Sequence, residues 1–280
     1  MIKINGFTPN KTNFPDGTMK LDIPLIMEDS INFTKEANFT WKFESEIEAL
    51  ELMYMSGQIT SRWGSDIKTT LYVPYLPNAR MDRVYDKKEV FTLKYFCTLI
   101  NSMNFDKVYV LDIHSSVGIA LLDRAENINP TEFIKKAMIE ADVNENTCFF
   151  FPDEGSCKRY SPLVKQVLKT NNIAFGIKER DWETGEIKKI TISGANVKDK
   201  NIFIIDDICS YGGTVFYSAT KLKEMECKDI NVFFTHCENS IERGKLFNCG
   251  MINKIFTTDS TCTLKENPSL RIYNSNNIHF

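Results

Sequence analysis

Short apolar runs alternate with stretches of helical spacing along most of this chain, and each pattern predicts its own kind of element. Leu71-Tyr72-Val73 predicts a short strand. Lys88 to Ser102 predicts a helix, because Val90, Phe91, Leu93, Phe96, Cys97 and Ile100 fall close to one helical face. Val108 to Ile113 then reads as a buried strand. Strand, helix, strand in that order is the signature of a parallel sheet, whose strands are joined by helical crossovers.

The second half repeats the theme. Thr131 to Ala141 predicts a helix, and Cys148 to Phe151 a buried strand ending at Pro152-Asp153-Glu154-Gly155. Ser161 to Thr170 predicts a helix opened by Ser161, with Pro162 at its first position. Ile173 to Lys178, Lys188 to Ser193, Asn201 to Ile205 and Ile230 to Thr235 read as strands, and Thr214 to Met225 as a helix. A break between residues 120 and 130 divides the pattern into two α/β halves, expected as domains 1–125 and 126–280. In open parallel sheets, ligands bind beyond the carboxyl ends of the strands, so polar residues there are the candidates for chemistry.

Charge narrows the partners. With 34 basic and 37 acidic residues, the net charge is −3, and no basic excess marks nucleic acid as a partner. No apolar run approaches the roughly 18 residues needed to span a bilayer, so no membrane partner is expected. Met1 to Lys11 has neither an apolar core nor a cleavage signature. The eight cysteines form no CxxC pair and no compact framework of spacings, and read as reduced thiols of a cytoplasmic protein.

The most specific segment is Asn201-Ile-Phe-Ile-Ile-Asp-Asp-Ile-Cys-Ser-Tyr-Gly-Gly-Thr214. A buried strand brings Asp206 and Asp207 to its carboxyl end, a glycine loop follows, and a helix begins near Thr214. Gly212 and Gly213 permit close backbone approach, so main-chain N–H groups and the helix N-terminus can surround a phosphate. The two carboxylates can hold ribose hydroxyls in front of that loop, directly or through a cation. A strand with an ordinary polar turn would explain a Gly-Gly pair alone. Strand, Asp-Asp, Gly-Gly-Thr and helix in sequence argue against that reading.

This segment resembles the phosphoribosyl-binding loop of the type I phosphoribosyltransferase fold, which serves more than one reaction. Other segments decide between them. Tyr72-Val-Pro-Tyr-Leu-Pro-Asn-Ala-Arg-Met-Asp-Arg83 and Val108-Tyr-Val-Leu-Asp-Ile-His-Ser115 look like the PYxxYARQDR and DLHS segments of phosphoribosyl pyrophosphate synthetases. The resemblance implies that Arg80, Asp82 and Arg83 serve ATP and that His114 binds magnesium. Paired arginine forks suit polyphosphate oxygens. Met81 stands where the family has glutamine.

Three further segments follow the family's pattern. Phe151-Pro-Asp-Glu-Gly155 with Lys158-Arg159 resembles SPDxGGxxR, implying a second metal-linked carboxylate at Asp153. Ile177-Lys-Glu-Arg180 resembles the DKRR strand end, implying that Lys178 and Arg180 stabilise the transferring phosphoryl group, with 181–188 as a catalytic loop. Phe14-Pro-Asp-Gly-Thr18 resembles the FSDGE hairpin, implying adenine contacts from Phe14 and Asp16 to a neighbouring subunit. Residues 21–71 correspond poorly.

The resemblance therefore implies two phosphoribosyltransferase-like, Rossmann-like α/β domains with mainly parallel sheets. It implies a Mg²⁺-dependent ribose-phosphate pyrophosphokinase acting on ATP and ribose 5-phosphate, in a homo-oligomer of at least a dimer. Asp206, Asp207, Ser210, Tyr211, Gly212, Gly213 and Thr214 are expected to bind the ribose phosphate. The family usually has threonine where this chain has Tyr211, so an extended acceptor such as ADP-ribose is the alternative. A phosphoribosyltransferase, and a non-catalytic homologue of the family, are the other rivals.

Overall fold

The computed structural model describes residues 1–180 and 187–277. The chain folds as two compact units, Met1–Asn129 and Pro130–Phe280. The division falls after Asn129 rather than after residue 125, because the strand at 125–128 completes the sheet of the first unit.

The first unit runs β1 (Ile2–Ile4), β2 (Asn10–Asn13), β3 (Met19–Asp22), α1 (Leu25–Thr34), β4 (Glu36–Trp41), α2 (Ile47–Trp63), β5 (Lys68–Val73), α3 (Thr92–Ser102), β6 (Lys107–Leu111), α4 (Ser116–Leu121) and β7 (Ala125–Ile128). Its five-stranded sheet has the order β1-β4-β5-β6-β7. β1 joins antiparallel, and the other neighbours pair parallel. Phe39, Trp41, Leu71, Val73, Val108 and Val110 are buried in its core. β2 and β3 form a separate antiparallel hairpin.

The second unit runs α5 (Thr131–Glu140), β8 (Thr147–Phe151), α6 (Glu154–Leu168), β9 (Ile173–Arg180), β10 (Ile187–Gly194), β11 (Asn201–Cys209), α7 (Gly213–Glu224), β12 (Ile230–Cys237), β13 (Lys254–Thr258) and β14 (Leu270–Tyr273). Its seven-stranded sheet has the order β10-β9-β8-β11-β12-β13-β14, parallel except for the β9–β10 pair. Every residue of β8 and of β12 is buried, as expected of parallel strands covered on both faces. The expected α/β class with mainly parallel sheets is borne out.

Several boundaries differ from the pattern, each for a local reason. The helix expected from Lys88 starts at Thr92, because the Glu89 carboxylate turns back to accept the Tyr85 N–H at 2.8 Å. β6 ends at Leu111, where Asp112 takes φ 45°. The helix expected from Ser161 begins at Glu154 instead. Asp153 caps it, accepting the Ser156 N–H at 2.9 Å, and Pro162 lies inside it without an N–H to donate. β11 continues past Ile205 to Cys209, held by pairing of Ile208 with His236 and of Cys209 with Cys237.

Candidate active site

The polar residues singled out in the first unit gather behind β5 and β6. Leu76 and Ala79 are buried and anchor the loop after β5 in the core. A Cβ on Gly118 would meet Ile113 at 2.7 Å and Leu76 at 3.3 Å. So α4 packs tightly on both, and this close approach holds the loop carrying Asp82 beside the segment carrying His114. The Asp82 carboxylate accepts Arg83 Nε–H at 3.1 Å and also engages the Ser115 hydroxyl. Burial pushes the Asp82 pKa up. The hydrogen bonds of Arg83 and Ser115, with the charges of Arg83 and His114, outweigh that and hold the carboxyl below its ordinary range. The same contact raises the Arg83 pKa, so this arginine is cationic at any working pH. Arg80 lies exposed on the same loop.

Phe14 and Asp16 sit on a different element, the tip of the β2–β3 hairpin. Gly17 takes φ 86°, and Asp16 Oδ1 accepts both the Thr18 N–H at 2.9 Å and its hydroxyl at 2.7 Å. These bonds fix the turn and lower the Asp16 pKa. Phe14 leaves 51% of its surface exposed at that tip.

In the second unit the chemistry collects at the carboxyl edge of the sheet. Asp206 and Asp207 lie near the end of β11, and the Asp207 N–H donates to Asp206 Oδ1 at 3.1 Å. The loop 210–214 follows. Gly212 is the N-cap of α7 at φ 73°, a left-handed conformation that favours glycine, and no side chain caps the helix. The first-turn N–H groups of a helix have no acceptor of their own, so this terminus is disposed to take an anion. A Cβ on Gly213 would meet nothing within 4 Å, which leaves room for a phosphate oxygen. Asp153, beyond the end of β8, accepts the Ser156 N–H and, at 3.1 Å, the Ser156 hydroxyl through Oδ1. Lys178 and Arg180 are placed by backbone register at the end of β9, opposite Ile190 and Ile187. Residues 181–186 of the expected catalytic loop lie outside the described residues.

Four contacts were not legible in the pattern. Arg159 Nη1 lies 3.3 Å from Asp207 Oδ2. Leu246 packs against Gly212, Gly244 lies against the Tyr211 carbonyl, and the Arg243 guanidinium stands 5.7 Å from the Tyr211 ring centroid. Arg159 sits within a recognised segment, but nothing near Gly244 signals its partner 33 positions earlier.

Among the described residues, no group of three or more His, Cys, Asp or Glu side chains is arranged to hold a metal ion. Magnesium bound to a nucleotide needs one or two protein ligands beside the phosphates, and a single carboxylate such as that of Asp153 fits that requirement. The cysteines are all free. Burial pushes the Cys97 thiol up to about 12, which suits a core side chain and not a nucleophile.

No protein-family model matches the chain. A ribose-phosphate pyrophosphokinase of Pyrococcus abyssi is 29% identical over 234 residues, covering 82% of this chain and 77% of its own length. One from Sulfurisphaera tokodaii is 24% identical over 260 residues, covering 91% and 84%. By sequence, this chain is similar to proteins named ribose-phosphate pyrophosphokinase. The fold is seen in the phosphoribosylpyrophosphate synthetase of Mycobacterium smegmatis, which superposes with a TM-score of 0.72 at 18% identity over 95% of this chain and 86% of its own. The resemblance drawn from six short segments is thereby supported by alignments over 234 and 260 residues.

Proposed function

We propose that this chain transfers the β,γ-diphosphate of ATP to the anomeric 1-hydroxyl of ribose 5-phosphate, giving phosphoribosyl pyrophosphate and AMP. The observation that carries the reading is the carboxyl end of β11. There Asp206 and Asp207 precede an uncapped, glycine-started helix, in a chain whose curated relatives are named for this reaction.

The roles follow from chemistry. Asp206 and Asp207 orient the ribose hydroxyls, and the N–H groups of 210–214 anchor the 5-phosphate. Arg80 and Arg83 meet polyphosphate oxygens, with Asp82 holding Arg83 in place. Phe14 and Asp16 provide the adenine contact, from a neighbouring copy in a homo-oligomer of at least two chains. The anomeric oxygen attacks the β-phosphorus, and the bond from that phosphorus to the α,β-bridging oxygen breaks. AMP leaves and the hydroxyl proton passes to solvent. Lys178 and Arg180 stabilise the charge that develops on the transferring group. His114 and Asp153 are each candidate ligands for Mg²⁺, which would neutralise the phosphates. No covalent nucleophile is required; positioning and electrostatics suffice. The enzyme would work in the cytoplasm and supply nucleotide biosynthesis. Among the described residues, no helix is long and apolar enough to cross a membrane.

A second reading is favoured by one observation. Tyr211 is 54% exposed beside Arg243 at the phosphate loop, where a ring and a cation could receive a group beyond the 5-phosphate. An acceptor such as ADP-ribose would undergo the same chemistry. A phosphoribosyltransferase would not release AMP from ATP, and a non-catalytic homologue would release nothing. Incubating the protein with ATP, Mg²⁺ and either acceptor, and separating products by chromatography, tests all four. AMP with phosphoribosyl pyrophosphate is the expected result; no acceptor-dependent AMP overturns the proposal.

A further inference from the structure

We infer that Arg159 is a positioning residue for the ribose acceptor, acting through Asp207. The inference rests on the reading that Asp207 holds a ribose hydroxyl.

Asp207 is 8% exposed, and a buried carboxylate keeps its charge only where cations and donors face it. Arg159 supplies both, with Nη1 3.3 Å from Oδ2 of Asp207. Its own placement is fixed from the sheet upward. Asp153 starts α6 at the end of β8, which sets Arg159 nearly two turns into the helix. The next residue, Tyr160, is buried and stacks on Phe151 of β8, with ring centroids 6.5 Å apart and an interplanar angle of 16°. The Arg159 guanidinium lies 5.8 Å from that same Tyr160 ring. On the other side, the Asp207 N–H is bonded to Asp206 Oδ1. The Asp206 carboxylate is thus tied to the Asp207 backbone, and the Asp207 carboxylate is tied to a helix whose start is locked by a capping box.

The consequence is directional. With Arg159 engaging Oδ2, the plane of the Asp207 carboxylate is set before any sugar arrives. A preorganised acceptor loses less on binding than one that must be ordered by the ligand. Arginine suits this role better than lysine, because a rigid fork fixes an angle as well as a charge.

The test is steady-state kinetics of the full chain with Arg159→Met, Arg159→Lys, Asp207→Asn and the Arg159→Met/Asp207→Asn pair, using ATP with ribose 5-phosphate and with ADP-ribose. Calorimetric binding of ribose 5-phosphate and thermal melts accompany it. Arg159→Met should raise the acceptor KM roughly ten- to a hundredfold, the range for a lost hydrogen bond to a charged group, with the ATP KM unchanged. Arg159→Lys should recover part of the loss. In the Asp207→Asn background, Arg159→Met should add little. A wild-type acceptor KM in Arg159→Met, or losses that multiply in the pair, overturns the inference alone. Equal rises in both KM values, with a collapsed melt, reduce Arg159 to a structural residue and also overturn it. Wild-type protein that neither binds nor turns over either acceptor overturns the functional reading and this inference together.

Discussion

Gly212 and Leu246 are packed so closely that a Cβ atom on Gly212 would lie 2.7 Å from the Leu246 Cβ. Gly212 also takes φ 73°. Two separate penalties therefore fall on any side chain there. The left-handed conformation costs an L-residue about 1–2 kcal/mol, and the contact with Leu246 forces the loop to shift. Gly212→Ala is expected to lower Tm by several degrees and to abolish calorimetric binding of ribose 5-phosphate. Gly212→Ala with Leu246→Ala should recover neither stability nor binding, because alanine keeps the Cβ that the new methyl meets and the loss of a buried leucine leaves a cavity. Unchanged binding in the single variant would show that the loop does not hold the phosphate.

Lys178 and Arg180 are expected to act where charge develops in the transition state. Lys178→Ala and Arg180→Ala should each reduce kcat by on the order of 10² or more, with acceptor KM changed far less. Their backbone lies within the β9–β10 pairing, so the fold should survive, as circular dichroism would report. Near-normal kcat in both variants would reassign the chemistry to other residues.

How much of the fold and site is readable in the chain depends on sequence distance. β8, β11 and β12 stand out because continuous apolar runs such as Ile202 to Ile205 leave strands buried on both faces little alternative. Helix starts are less legible. Pro162 looks like a first-position proline, yet the capping exchange between Asp153 and Ser156 sets the start eight residues earlier than Pro162, at Glu154. Local cap chemistry outweighs the cost of an interior proline. Contacts such as Arg159–Asp207 and Gly244–Tyr211 are not legible, because they join elements brought together by sheet order alone. Asp82 and His114 carry separate expected roles, and their proximity emerges from Leu76 and Ile113 packing on Gly118.

Asp82 gives a pH test of that proximity. Its folded-state pKa is lowered from an ordinary value of 3.8, so its contribution to stability is present above 3.8 and is lost as pH falls through the folded value. The Tm advantage of wild type over Asp82→Asn should be clear at neutral pH and should shrink below 3.8. A difference that stays constant down to the acid limit of folding would mean that the carboxylate gains nothing from Arg83, Ser115 and His114.

Tyr211 is the residue proposed to set which ribose phosphate the loop prefers. Its carbonyl is pressed against Gly244, so the backbone here is fixed by packing, while the ring remains 54% exposed. The Arg243 guanidinium stands 5.7 Å from the ring centroid. A tyrosine merely turned to solvent would be indifferent to the acceptor. A tyrosine that receives an adjoining group would discriminate, because a base can stack on the ring and a second phosphate can meet Arg243. Stacking of this kind is worth about 1–3 kcal/mol per base, or roughly tenfold to a hundredfold in affinity. If the extended acceptor is used, Tyr211→Thr and Arg243→Ala should each lower kcat/KM for ADP-ribose by about that factor while leaving ribose 5-phosphate within a few-fold of wild type. The measurement is AMP release with the two acceptors side by side. Wild type that shows neither turnover nor inhibition with ADP-ribose rules the extended acceptor out and leaves ribose 5-phosphate as the substrate.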